Sequence, residues 1–408
     1  MSSLKTAAAL AWMASLPLAT DACANGEATI ERWVREALEQ HPQGTSARWD
    51  VQSSLSQSIG ASAWMAPTAQ TQYRSDGEIS LTLSQMIPGP GKTDGLQEVK
   101  KSQLEMAQSD SAERMRQIEL SVREAAWMEW MAWRKVEILR QQETLSTDAA
   151  QAAQRLQAQG MATPTESWLS KARSRQARSQ REEGLAEAKS ATAMRESWSG
   201  AGEPPLEAAP PRAPDWDDSA LLRSVEQRPD IRSMEQDAAM QEAMSRSMRS
   251  NLRPDFMVGA MAMRMTNGMP GWGAMAGMTL PFVPWARSMA QNGASAEQAK
   301  ARSIQARREA MKRMARAEIL GHAQKARAAW AAWAELDSAI GPGQDRALAD
   351  ARSRYAQGRE MFSMVLSMDD MVRMVRMEAV MRRGEYELER ARLLAAAGIG
   401  QNGRDGGK

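Results

Sequence analysis

Methionine is the residue type whose chemistry and spacing stand out most in this 408-residue chain. The chain has 31 Met but only 3 Phe and 3 Tyr, and thioether sulfur is a soft ligand that suits Cu(I) or Ag(I). The methionines concentrate in two groups: Met257, Met261, Met263, Met265, Met269, Met275 and Met278, and Met361, Met364, Met368, Met371, Met374, Met377 and Met381. Two interpretations remain open. One is adaptable packing in a core or against lipid, and the other is metal contact, for which Met275 and Met364 are the candidate ligands.

Histidine and cysteine, which supply most catalytic bases, nucleophiles and metal ligands, are scarce. Only His41, His322 and Cys23 occur, and neither histidine has a metal or catalytic spacing. The sequence therefore predicts a protein that is not an enzyme and binds no cofactor. Its 52 basic and 50 acidic residues give a net charge of +2. Nucleic-acid binding usually requires a clustered basic surface, so no nucleic-acid partner is expected.

The N-terminus has the layout of a secretory signal peptide. Lys5 precedes an apolar run over residues 7–19, and residues 22–24 fit a cleavage site between small side chains. We therefore predict a signal peptide over residues 1–24, whose removal also removes Cys23. Lipidation of Cys23 is the alternative, although the three residues before it suit a lipoprotein signal poorly.

The rest of the chain has the pattern of a tandem duplication. Four matches keep their order: residues 39–42 (EQHP) with 226–229 (EQRP), Pro67 with Pro254, residues 81–83 with 278–280, and Gly160 with Gly358. We predict a first repeat over residues 25–199 and a second over residues 219–397. A proline-rich linker over residues 200–218 joins them, and a disordered tail follows over residues 398–408.

Each repeat is predicted to contain a helix, two strands, a very long helix and a further helix. The expected bounds are helix 29–63, strands 64–88 and helices 92–198, then helix 219–251, strands 255–285 and helices 286–397. Residues 92–159 contain no proline and only one glycine, Gly95. Their apolar residues recur every three or four positions, as in helices that pack side by side. At 1.5 Å per residue this helix would be on the order of 100 Å long.

Residues 78–84 (EISLTLS) alternate between polar and apolar types, which is the period of a strand. In a soluble sheet one face would be wet. In a membrane barrel the apolar positions Ile79, Leu81 and Leu83 would face lipid, and the polar positions Glu78, Ser80, Thr82 and Ser84 would face a watery lumen. The repeat transfers this pattern to Met278 and Leu280 on lipid, and to Thr279 and Met275 in the lumen. The same period places Met257, Met261, Met263 and Met265 on one face.

The motifs, taken in order, resemble those of the TolC family of outer membrane efflux proteins. Residues 226–231 (EQRPDI) resemble its RPD helix segment, residues 279–282 (TLPF) its LPxF strand end, and residues 355–358 (YAQG) its YxxG turn. The resemblance covers residues 29–398. Residues 127–131 (WMEWM) are similar to the CzcC/CusC-like cation-efflux subgroup.

The resemblance implies an outer-membrane channel subunit of a tripartite efflux pump, with a periplasmic extension, in a Gram-negative bacterium. The implied fold class is mainly α with a membrane β-barrel. Three copies would form a 12-stranded barrel and a periplasmic α-helical tunnel. The implied partners are outer-membrane lipid, a periplasmic adaptor (membrane fusion protein) and an inner-membrane pump of the resistance-nodulation-division type. Heavy-metal (copper or silver) efflux and drug or organic-solute efflux both remain open, and a soluble periplasmic coiled-coil scaffold is the alternative.

In this family, acidic residues just past the periplasmic glycine turns form a constriction. Six residues after Gly160 lies Glu166, whereas six after Gly358 lies Met364, so the second repeat departs from the pattern. The predicted aperture residues are Glu166 in the first repeat and Met364, Ser367, Asp369 and Asp370 in the second. Glu166 also fits a second role, as an acidic residue that stabilises a helix N-terminus.

Overall fold

The structure is a computed structural model. It describes residues 19–61, 63, 65–75, 78–200, 211–264, 269–281, 283–339 and 342–398. The predicted signal peptide up to residue 18, the linker over residues 201–210 and the predicted tail after residue 398 lie outside the described residues, as does the side chain of Cys23.

The described chain is mostly helical, and its order of elements repeats. The first half contains α1 (Ala19–Gln40), α2 (Pro42–Gly60), β1 (Thr68–Tyr73), β2 (Ile79–Ile87), α3 (Lys92–Ala158) and α4 (Pro164–Ser199). The second half contains α5 (Asp218–Ser224), a 3-10 turn (Val225–Gln227), α6 (Pro229–Ser250), β3 (Phe256–Arg264), β4 (Pro270–Met278), α7 (Pro284–Ala339), α8 (Pro342–Ala356) and α9 (Phe362–Ala396).

Proline divides both of the helices that were predicted to be continuous ahead of the strands. The helix predicted over residues 29–63 is two helices, because α1 ends at Gln40 and α2 begins at Pro42. The helix predicted over residues 219–251 is likewise broken before Pro229. Proline lacks the N–H that a helix interior requires and fits the first helical position instead. The break occurs within the matched EQHP and EQRP segments, so the helix is interrupted at the corresponding point of both halves.

The chain divides into two compact units. The first comprises the described residues within 1–44, 115–224 and 316–408. Its core includes the predicted apolar stripe of α3, where Ile118 and Val122 are buried against Trp33 and Val34 of α1. This unit also contains a fully buried ion pair, in which Arg195 Nε donates to Glu129 Oε2 at 2.6 Å. The Arg195 guanidinium lies 4.3 Å from the ring centre of Trp33, which compensates part of its desolvation.

The second unit comprises residues 45–114 and 225–315 and contains the sheet. Its four strands are antiparallel in the order β1-β2-β3-β4. Register is continuous, with Thr68 opposite Ser84, Ile79 opposite Arg264 and Phe256 opposite Met278. β1 and β4 are therefore the edge strands of the described sheet, and each has one side whose backbone groups meet no neighbouring strand among the described residues.

No helix among the described residues combines the length and the apolar character needed to cross a membrane.

Candidate functional site

The two faces of the sheet differ sharply in chemistry. Successive side chains of a strand point to opposite faces, and the continuous register allows each residue to be assigned to one of them. The first face, here called the apolar face, includes Ile79, Leu81, Leu83, Phe256, Val258, Trp272 and Met278. These side chains are exposed in the single chain, Leu81 by 50% and Met278 by 60%. The alternation predicted for residues 78–84 is present, and its apolar positions lie on this face.

The second face is here called the inner face. Its side chains are half-buried on β3, on β4 and on β2 as far as Ser84, whereas those of β1 and Met86 are exposed. On β1 and β2 it carries hydroxyl and amide side chains, followed by one methionine: Thr68, Gln70, Gln72, Ser80, Thr82, Ser84 and Met86. The predicted lumen residues Ser80 and Thr82 are among them. Glu78 lies just before β2 and pairs with Arg74 at 3.2 Å. Thr279 lies one residue beyond the end of β4, where its Oγ1 accepts a hydrogen bond from the Asp255 N–H at 2.8 Å.

On β3 and β4 the inner face consists of methionine and glycine. Its residues are Met257, Gly259, Met261, Met263, Gly271, Gly273, Met275 and Gly277. The predicted shared face of Met257, Met261 and Met263 is present, and Met275 joins them from the next strand. Met265 lies outside the described residues. The inner face thus changes from hydroxyl and amide groups to thioethers between the first hairpin and the second.

A polar junction that the sequence did not single out holds the end of the sheet nearest the helices. Asp255, just before β3, accepts hydrogen bonds from the Gly89 N–H at 2.8 Å and from Lys92 Nζ at 2.7 Å. Arg253 donates to the carbonyl oxygen of Pro90 at 2.5 Å. A methyl group on Gly89 would clash with the Pro254 carbonyl oxygen, so this position requires glycine. The junction joins the start of α3 to the start of β3.

In the first unit, the two glycine turns predicted to correspond have the same backbone conformation. Gly160 and Gly358 have φ values of 74° and 70°, a left-handed conformation that glycine adopts without steric cost. The next residue in each case closes the helix with the same long hydrogen bond, Met161 N to Leu156 O at 2.9 Å and Arg359 N to Arg354 O at 2.8 Å. The turns therefore end α3 and α8 in the same way.

The side chain of Glu166 caps the N-terminus of α4. Its carboxylate accepts a hydrogen bond from the Thr163 N–H at 3.0 Å, and its own N–H donates to Thr163 Oγ1 at 3.2 Å. This reciprocal pair is a capping box, which satisfies two N–H groups that a helix start leaves without partners. Met364 occupies the same position of α9, three residues after the N-cap residue Met361, where the cap has no side-chain hydrogen bond.

The two aspartates near the start of α9 are each paired with arginine. Asp369 is buried and accepts a hydrogen bond from Arg352 of α8 at 2.6 Å. Asp370 pairs with Arg173 of α4 and with Arg373 one turn further along α9. Burial lowers the pKa of Arg352 although Asp369 opposes the shift. Asp148 and Arg376 also act electrostatically on Arg352. With Glu166, the region then has four carboxylates and four guanidinium groups, so it is balanced in charge rather than acidic.

The remaining aperture candidates lie on the outside of α9. Met364 is 54% exposed, and Ser367 is exposed and donates its hydroxyl to the Met364 carbonyl oxygen at 3.0 Å. Five exposed methionines form a stripe along α9, beginning at its N-cap residue: Met361, Met364, Met371, Met374 and Met381. Core packing within the chain, one interpretation of this group, is therefore wrong for these five side chains.

The described part of the chain contains no group of three His, Cys, Asp or Glu side chains arranged to hold a metal ion. Met364 lies on the exposed α9 stripe, whereas Met275 lies among other thioethers on the inner face.

Comparison with known proteins shows similarity in structure rather than in sequence. No family model matches the chain, and no curated protein sequence matches it significantly. Among solved structures, the outer membrane protein VceC from Vibrio cholerae is 15% identical with a TM-score of 0.72, over 92% of this chain and 98% of that one. The CmeC outer membrane channel from Campylobacter jejuni is 13% identical with a TM-score of 0.76, over 91% and 86%. CusC is 15% identical with a TM-score of 0.71, over 91% and 92%. The chain therefore has the fold of these outer-membrane channels.

Proposed function

We propose that the chain is an outer-membrane channel subunit of a tripartite efflux pump and a member of the TolC family. The observation that supports this most is the structural likeness to outer-membrane channels over about nine tenths of this chain and a similar share of theirs. The protein acts by conducting solute and carries out no chemical reaction. A signal peptide over residues 1–24 would direct it to the outer membrane of a Gram-negative cell.

The two edge strands favour a closed ring of copies. Four strands cannot close a barrel alone, and unpaired edges inside lipid would leave backbone groups without hydrogen bonds. Three copies would supply a 12-stranded barrel in which β1 of each chain pairs with β4 of its neighbour. The exposed apolar face would then contact lipid, and the inner face would line the lumen. The helices would continue as a periplasmic tunnel that meets an adaptor and an inner-membrane pump of the resistance-nodulation-division type.

The balanced cluster on α4, α8 and α9 is proposed to restrict the periplasmic aperture by holding helices together, instead of forming an acidic ring. Arg173 of α4 and Asp370 of α9 come from different repeats, so their ion pair joins the two helical hairpins. We expect Arg173→Ala to raise single-channel conductance in planar bilayers. Arg178→Ala is the matched control, because Arg178 pairs only within α4, with exposed Glu182 at 3.3 Å. Equal conductance in both variants would contradict the proposal that the ion pair between Arg173 and Asp370 restricts the aperture.

Heavy-metal efflux of copper or silver is the favoured substrate class, and drug or organic-solute efflux is the second. The inner-face methionines favour the first, because thioethers bind soft monovalent cations. Membership of the CzcC/CusC-like subgroup follows as part of the same proposal.

Membrane fractionation followed by gel mobility with and without heating tests the channel function. We expect the full-length protein in the outer-membrane fraction, as a trimer that resists dodecyl sulfate until it is heated. A soluble periplasmic monomer would instead support the coiled-coil scaffold and would contradict both the barrel and the lumen assignments.

A further inference from the structure

We propose that Met257, Met261 and Met275 form a binding site for a soft monovalent cation, Cu(I) or Ag(I), on the inner face of β3 and β4. The location of this site in a channel lumen rests on the proposed function. The affinity of the protein for the cation can be measured independently of that function.

The strand register brings the three thioethers together. Met257 and Met261 lie on β3 on either side of Gly259, and the residue directly opposite Gly259 on β4 is Met275. Neighbours on the same face and diagonal to each other across an antiparallel pair are about 7–8 Å apart at Cα, within reach of long side chains. Met275 is therefore diagonal to both Met257 and Met261.

Glycine provides the space into which these side chains extend. A methyl group built on Gly259 would lie 2.9 Å from Met275 Cγ and 3.1 Å from its sulfur. The Met275 side chain thus lies directly over Gly259, between the two methionines of β3. Met257 Cε extends in the opposite direction, 3.4 Å from the corresponding position on Gly277, and Met261 Cε lies 3.7 Å from that on Gly273. Each methionine faces a glycine across the strand pair, so the three side chains interdigitate on one face.

The distribution of apolar residues argues against simple packing. Every Leu, Ile, Val and Phe of the four described strands lies on the apolar face. The long apolar side chains of the inner face are all methionine within the same strands: Met86, Met257, Met261, Met263 and Met275. A requirement for apolar volume alone would accept leucine or valine on both faces, because these residues differ little from methionine in transfer free energy. The feature that distinguishes the inner-face side chains from Leu, Ile, Val and Phe on the apolar face is their sulfur atom.

The chemistry of the site suits passage rather than storage. Thioethers are neutral and bind soft cations without deprotonation. Release of the cation therefore requires no separation from an anionic ligand. Hydroxyl groups lie beside the site, since Thr82 is opposite Met261 and Ser84 is opposite Gly259. Met86 is opposite Met257 and extends the row of thioethers onto β2. Conduction requires binding that is favourable enough to admit an ion and weak enough to release it, and a row of neutral sulfur ligands meets both conditions.

Titration of the full-length, detergent-purified protein with Ag(I) in chloride-free buffer, followed by calorimetry, tests the site. We expect Met275→Leu to weaken the tightest Ag(I) binding by about tenfold or more, because the middle ligand is lost while the apolar volume is kept. The double variant M257L/M261L should weaken it at least as much. The matched control is Met278→Leu, which lies on the same strand but on the apolar face and should leave binding unchanged.

A second measurement guards against a folding defect in the variants. In wild-type protein labelled with 13C at the methionine methyl groups, Ag(I) should first shift the signals of Met257, Met261 and Met275. Equal Ag(I) affinity in Met275→Leu and wild type, or first shifts at the exposed α9 methionines, would overturn the proposal. If the protein is a heat-sensitive outer-membrane trimer that fails to bind Ag(I), only the proposed cation site is contradicted. If it is a soluble monomer that binds Ag(I), the proposed channel function is contradicted and the cation site is supported.

Discussion

The hairpins β1–β2 and β3–β4 have the same topology and similar apolar faces, yet their inner faces share almost no chemistry. The first carries Ser, Thr and Gln where the second carries Met and Gly. A surface in contact with lipid strongly favours apolar side chains near the middle of the bilayer, whereas a surface facing solute can change with the solute. We infer that, in the proposed channel, the membrane constrains the apolar face of both hairpins. The side chains on the inner face of β3–β4 would instead be determined by the solute that contacts them.

The largest expected effect would break the similarity of the apolar faces. If the sheet forms part of the proposed barrel, Leu81→Arg in the first hairpin and Val258→Arg in the second should each lower the free energy of unfolding by about 2–4 kcal/mol, because each would place a charge in lipid. Urea titration of the protein in lipid vesicles measures this. Thr82→Arg and Met261→Arg, the neighbours on the inner face, are the controls and should cost much less. Equal costs on both faces would contradict the assignment of the faces.

The next prediction compares the two inner faces at a single pair of residues, by the effect of alanine on the free energy of unfolding. Ser84 and Gly259 are direct cross-strand partners. Gly259→Ala should lower the free energy of unfolding by about 1–3 kcal/mol, because its methyl group would overlap Met275 and the Leu83 carbonyl oxygen. Ser84→Ala should change it by less than about 0.5 kcal/mol.

Gly273→Ala is the matched control for this prediction, since a methyl group there meets only Met261 at an ordinary 3.7 Å. If Gly273→Ala cost as much as Gly259→Ala, the close contacts with Met275 and the Leu83 carbonyl oxygen would not be the reason for glycine at position 259.

The comparison extends to the charges buried by the last helix of each half. α4 buries Arg195, whereas α9 buries Glu389, which accepts hydrogen bonds from Arg392 and contacts His322. Burial would raise the pKa of Glu389, but the hydrogen bonds from His322 and Arg392 outweigh it and lower the pKa below its usual value. The stabilisation is thus present above the pKa of glutamate in the unfolded chain and is lost as pH falls through the lower folded-state value.

Glu389→Gln should therefore lower the free energy of unfolding by about 1–3 kcal/mol at pH 7. The difference from wild type should begin to shrink as pH falls through the pKa of glutamate in the unfolded chain, about 4.3, and should be lost only below the lower pKa of Glu389 in the folded protein. Chemical denaturation at a series of pH values measures both. A difference that stays constant into acid would contradict the proposed ionised state of Glu389.

The smallest effect tests the starts of α4 and α9, which differ as the hairpins do. α4 begins with the Thr163–Glu166 capping box, and α9 has Met361 and Met364 at the corresponding positions. Replacing Met361 with Thr and Met364 with Glu should raise the free energy of unfolding by about 0.5–1 kcal/mol, and Thr163→Ala should lower it by about 1 kcal/mol. Thermal denaturation is sensitive enough to detect both. No gain in the double variant would mean that other contacts determine the start of α9.

Local periodicity was enough to predict most of the elements. The helix predicted over residues 92–159 is α3, because its 3/4 spacing is uninterrupted by proline, and the period of two located β2. The breaks at Pro42 and Pro229 were missed although the proline rule would have found them. The capping box was also readable, since Thr163 and Glu166 have the spacing of that motif.

The rest depended on contacts that sequence spacing does not contain. The pairing of Met275 with Gly259 is set by the register between β3 and β4, which no period within one strand reveals. The same holds for Asp255 with Lys92 and for Asp370 with Arg173, whose partners are 163 and 197 residues apart. Charge balance in the predicted aperture therefore emerged only from the structure.

The two edge strands have a consequence for genetics. In a ring of copies, each β1 edge meets the β4 edge of another chain, so one chain with a damaged edge leaves the whole ring open. A cell that makes both intact and edge-damaged chains would incorporate damaged chains into most of its assemblies. Mutations at these edges should therefore behave as dominant, whereas mutations that unfold the chain before assembly should behave as recessive.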